Sequence, residues 1–100
     1  METFNAVAKA RFASARPQRV HLHRDKPLTA ELICLEPGQE IHSDRGAWCY
    51  YVVSGTVAVS AGDATAELGM GHAAVTESGE EHRLRNDGDR RAICLAVATG

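Results

Sequence analysis

The sequence is poor in the features that mark several large protein classes. Aromatic residues make up 5% of the chain, and proline and cysteine occur 3 times each. Cys34, Cys49 and Cys94 are an odd number without a Cys-x-x-Cys pair, which argues against a disulfide framework and a zinc ribbon alike. The longest apolar runs, Ala47 to Val53 and Ala92 to Ala98, fall far short of the ~20 residues that cross a bilayer, so no membrane partner is expected. Charge of one sign is not in excess either: 11 basic residues face 13 acidic ones, for a formal net charge of -2. A nucleic-acid role would need a local basic patch, and the cluster Arg83, Arg85, Arg90, Arg91 is interleaved with acids. The opening Met1-Glu2-Thr3-Phe4-Asn5 lacks the basic start and apolar stretch of a secretion signal, which predicts a cytoplasmic protein. Phosphate-loop and Gly-x-Ser-x-Gly patterns are missing, and Ser43, Ser54, Ser60 and Ser78 fall in or beside turns, leaving nucleophilic catalysis little support.

What is present points to one small β domain. With 100 residues, 44% hydrophobic and 24% charged, the chain suits a single packed core. Phe4 to Ser14 is Ala-rich with apolar spacings that predict a short amphipathic helix, stopped at Arg16-Pro17; residues 1–16 read as an N-terminal arm and 17–100 as the domain. Strand signals follow, separated by Pro, Gly and Asp: Val20 to His23, Leu28 to Leu35, Trp48 to Val53, Thr56 to Ala61, Ala64 to Leu68, Ala73 to Thr76, His82 to Arg85 and Arg91 to Ala98. Short strands at this spacing predict an antiparallel sandwich or barrel.

Period two places Trp48, Tyr50 and Val52 on one face of their strand, with Cys49, Tyr51 and Val53 on the other. Cys34 and Cys94 sit inside apolar runs and read as small buried hydrophobes. Arg83 and Arg85 lie on the face opposite His82 and Leu84. His72 reads as solvated, as do His21 and His23, which could also pair with Asp25 or line a subunit contact. Glu80-Glu81 reads as a solvated turn.

Two stretches resemble the cupin superfamily. The first runs from Leu35 to Gly55, with Gly38 and Gly55 at motif positions and Tyr51-Val52-Val53-Ser54-Gly55 similar to the motif's closing strand. The second runs from Gly71 to Asn86, where Gly71, Gly79, His82 and Asn86 match the second motif in register and Glu77 stands where Pro is usual. The resemblance implies an all-β fold, a small double-stranded β-helix or jelly-roll barrel, with the short N-terminal helix added, and a homodimer. It also implies a metal held by two His and a Glu of the first motif plus the His of the second. Counting back from Gly55 puts Trp48 at the Glu position and His42-Ser43-Asp44 in the His-x-His slot; counting forward from Gly38 puts Asp44 at the first His, so the register stays open.

Three functional expectations follow. In the first, a small and largely apolar molecule binds inside the barrel, in a pocket lined by Trp48, Tyr50, Val52, His42, His82 and Leu84, beside a degenerate metal site. In the second, His42, Asp44 and His82 form a two-His, one-carboxylate set for iron, zinc, nickel or manganese in an oxygenase or isomerase. Against this set, Asp44-Arg45-Gly46 is also an ordinary turn, and an indole at position 48 would fill the metal's space. In the third, the barrel is filled and the chain is a structural or regulatory dimer. The outward arginines speak against a carbohydrate-epimerase role.

Overall fold

A computed structural model describes residues 1–43 and 46–99. After a short helix α1 (Ala6–Lys9), the strands run in chain order as β1 (Gln18–His23), β2 (Leu28–Leu35), β3 (Glu40–Ser43), β4 (Trp48–Ser54), β5 (Val57–Ala61), β6 (Ala64–Leu68), β7 (Ala73–Thr76), β8 (His82–Arg85) and β9 (Ala92–Thr99). They form a five-stranded sheet in the order β1-β2-β9-β4-β7 and a four-stranded sheet in the order β3-β8-β5-β6, antiparallel throughout. This is the expected jelly-roll barrel. Among the described residues, no helix is long and apolar enough to cross a membrane.

Alternation along the strands builds the core between the sheets. Ile33, Leu35, Tyr50, Val52 and Cys94 from the larger sheet meet Val57, Val59, Leu68 and Leu84 from the smaller one. A second cluster lies on the outer face of the larger sheet, where Leu32, Cys34 and Ile93 are covered by Ala6, Ala10 and Phe12. β2 is therefore buried on both faces, which explains why Leu32-Ile33-Cys34-Leu35 is continuously apolar with each residue 0% exposed.

The helix is much shorter than the sequence suggests. Asn5 caps it by accepting from the Ala8 N–H at 3.1 Å, and Ala10 is already extended, with φ -61° and ψ 142°. So few residues cannot sustain a helix alone, and tertiary contacts decide the conformation. The Gln39 side-chain amide donates to the Ala13 carbonyl at 2.8 Å, and the Arg91 guanidinium lies 4.7 Å from the Phe12 ring centre. Both contacts hold an extended strap across the sheet.

β3 is the strand that periodicity alone did not mark, because Ile41 is its one hydrophobe. Its register on β8 fixes it: Glu40 opposes Arg85, Ile41 opposes Leu84, His42 opposes Arg83 and Ser43 opposes His82.

Candidate functional site

β4 carries the largest side chains of the barrel interior. From the rim inward these are Trp48, half-buried, then Tyr50 at 1% and Val52 at 0% exposure. The Trp48 and Tyr50 rings stack with centres 5.9 Å apart and planes 12° from parallel. The backbone N–H of Trp48 donates to Thr76 Oγ1 on the neighbouring strand at 3.3 Å.

Opposite them, β8 starts at His82, which is 3% exposed. Its Nδ1 lies 3.0 Å from the Glu80 carbonyl, an acceptor only, so Nδ1 carries the proton in the neutral ring. Nε2 then accepts from the Tyr50 hydroxyl at 2.6 Å. The phenol is suited to donate, since burial pushes its pKa from 10.0 up to about 12. Both ring nitrogens of His82 are thus engaged within a largely apolar core.

Strand register separates the two histidines expected to act together. Ser43, not His42, opposes His82, so His42 shares the outer face with Arg83 and with Ser60, the partner of Arg83 on β5. The two histidines border the same cleft of about 590 Å³, whose other walls include Ser60, Thr65, Glu81 and Arg83, but from opposite faces of the sheet. Asp44 lies outside the described residues. Val52 and Leu84 are fully buried and, with Tyr50, fill the interior rather than line an open pocket. Of the six residues expected around a pocket, Trp48 is half-buried, His82, Tyr50, Val52 and Leu84 are buried, and His42 is exposed on the outer face.

Among the described residues, the candidate donors do not gather around one point, and no group of three His, Cys, Asp or Glu side chains is placed to hold a metal ion. His82 spends both nitrogens on protein partners, and His42 lies on the other face of the sheet.

A second polar group faces the interior from β1 and β2, and the sequence reading missed it. Glu31 is 3% exposed. Its two carboxylate oxygens take Arg19 Nη1 and, at 3.3 Å, His21 Nδ1. The signal was legible in principle: Glu31 is the single acid of Leu28 to Leu35, and period two sets it on the face of Ile33 and Leu35. His21 pairs with this residue and not with Asp25; a register irregularity between His21 and His23 sets the latter apart.

Other residues lie as their spacing implied. Arg83 and Arg85 are exposed and bridge to Glu40. Cys49 and Tyr51 are exposed on the outer face, and Cys34 and Cys94 are buried. His72 is exposed, with Nδ1 accepting from the Gly69 N–H at 3.0 Å.

Asn86, at 0% exposure, donates to the carbonyls of Leu35 at 2.9 Å and Arg90 at 2.7 Å, while its Oδ1 accepts from the Gly88 N–H at 2.9 Å. The second-motif asparagine therefore ties β2 to the β8–β9 loop. Gly55 has φ +80°, and a Cβ there would stand 2.6 Å from the Arg91 carbonyl oxygen. The sequence profile of the cupin domain matches residues 31–98. The chain belongs to the cupin family. The structure of this cupin is similar to that of TT1209 from Thermus thermophilus, with TM-score 0.91 and 25% identity over 99% of this chain and 98% of that one. A protein with a double-stranded β-helix domain from Klebsiella pneumoniae gives TM-score 0.89 and 23% identity, covering 99% and 90% of the two chains. An RmlC-like cupin from Desulfovibrio desulfuricans gives 0.82 and 20%, covering 98% and 96%. No curated protein matches the chain. Of the second-motif positions in this cupin, Gly71, Gly79 and Asn86 serve turns and loop ties, leaving His82 as the one with chemistry facing the barrel.

Proposed function

We propose that this cupin binds a small molecule at the mouth of its barrel, over Trp48, Tyr50 and His82, without needing a metal. The observation that carries the reading is the 2.6 Å hydrogen bond between Tyr50 and His82, set beneath the stacked indole of Trp48. Packing alone is served as well by apolar side chains, whereas a buried polar pair adds only about 1 kcal/mol net and fixes directional groups in place. A flat indole stacked on a phenol that is held in place by His82 suits a ligand with an apolar body.

Trp48 is the only tryptophan in the chain, so it reports on its own site. Purified protein kept in chelator is titrated with a library of small aromatic and aliphatic compounds while indole emission is followed. A saturable change with at least one compound class is the expected result; flat emission across the library would defeat the reading.

The association reading has its own support. On the outer face of the larger sheet, Tyr51 is 43% and Val75 75% exposed, and Val75 opposes the exposed Cys49 in register. These neighbours form an apolar strip that a second copy of the chain could cover, in keeping with the expected homodimer.

A further inference from the structure

Resting on the small-molecule reading, we propose that Arg19 and His21, oriented by Glu31, form a subsite for the carboxylate of the ligand. The placement follows from the unequal sheets. Five strands face four, and β1 is an edge strand of the larger sheet. Arg19 opposes Ile33 and His21 opposes Glu31, which sets both bases on the inner side of β1. Their side chains nevertheless remain 36% and 38% exposed, while Glu31, one strand further in, is at 4%. The result is a ledge with a buried acid at its back and two basic groups in front.

The stoichiometry points outward. A buried carboxylate is balanced by one guanidinium, yet here a second basic side chain converges on it. Each of Glu31's oxygens takes one base, which fixes the rotamers of both. Arg19 offers five N–H donors in a planar fork, and one of them serves Glu31; His21 gives Nδ1–H to Glu31, and its Nε2 is a donor as well only in the imidazolium form. The remaining N–H groups of the prearranged Arg19 fork, joined by His21 Nε2 when that ring is an imidazolium, match the two oxygens of a carboxylate at little cost in side-chain ordering.

The ledge and the mouth belong to one surface. Glu31 opposes Ala96, which opposes Tyr50, so the acid and the phenol share a face of the sheet. Nearer the rim, Thr29, Ala98 and Trp48 stand in register on the same face, with only the small Ala98 side chain on the strand between. β1 and β4 are three strand spacings apart, roughly 14 Å at ~4.8 Å per spacing. That span suits an apolar body lying toward Trp48 with its acid on Arg19.

The test pairs carboxylates with their neutral amides: benzoate with benzamide, and phenylpropionate with phenylpropionamide. Binding is followed by Trp48 emission and by amide NMR shifts. Each acid is expected to bind about tenfold tighter than its amide. Arg19→Gln should erase that preference, and His21→Gln, which leaves the Arg19–Glu31 pair intact, should reduce it. Acids and amides binding equally, or a preference that survives in both variants, would overturn the subsite while leaving the mouth reading standing. Binding by no member of either pair would count against the mouth reading and the subsite together. If Arg19→Gln fails to fold, the His21→Gln result decides alone.

Discussion

Two buried acids set the pH response of single residues. Burial raises the Tyr50 phenol from 10.0 to about 12 and the Cys94 thiol from 9.0 to about 12. In both cases the folded state holds its proton more tightly than the unfolded chain. Their contribution to stability is therefore fully present below pH 9 and is lost as pH climbs through about 12. In a Tyr51→Phe variant, Tyr50 is the one remaining tyrosine. Its phenolate absorbance is expected to rise well above pH 10, together with unfolding; a midpoint at the ordinary value would show that the phenol is open to water. Asn86 gives the second residue-scale prediction. Removing its side chain in Asn86→Ala strands two carbonyls and an N–H, at about 1–3 kcal/mol for each group that stays buried and unpaired. A loss of about 3 kcal/mol in a urea melt is expected; less than 1 kcal/mol would mean that water replaces the amide.

Among the elements, the N-terminal strap and β3 show where sequence patterns run out. The strands with clean alternation or a doubly buried run were legible, since β2, β4, β8 and β9 each carry their hydrophobes at spacings that survive in the fold. The strap was misread because Ala-rich spacing favours a helix locally, while the deciding contacts, Gln39 to Ala13 and Arg91 to Phe12, come from distant sequence. β3 was misjudged at the level of one residue: the motif slot aligned His42 with the interior, but pairing with β8 gives that place to Ser43. A slip of one position exchanges faces, so the candidate site was the part most sensitive to register. Glu31 went unnoticed for the opposite reason, a single polar residue hidden in an apolar run. Phe12 anchors the strap, and Phe12→Ala should cost about 1–3 kcal/mol and speed amide exchange across residues 6–14 without changing the barrel. Unchanged exchange would place the anchor elsewhere.

For the whole molecule, the apolar strip on the outer face and the small size of the barrel both favour a pair of chains. Light scattering at micromolar concentration is expected to report twice the mass of 10.7 kDa, and the double variant Tyr51→Arg, Val75→Glu to report a single chain. A clean monomer for the unaltered protein would remove the association reading. Elemental analysis of untagged protein should find metal well below one ion per chain, whereas near-stoichiometric metal that disappears in His82→Ala would revive the enzymatic one.

The most direct test of the central claim is residue-resolved mapping of the bound state by NMR, using the compound that most alters Trp48 emission. Ligand at the barrel mouth predicts the largest shifts at Trp48, Tyr50, Thr76, His82 and Ala98. Shifts confined to Cys49, Tyr51 and Val75 would place binding on the outer face and contradict a ligand site at the barrel mouth.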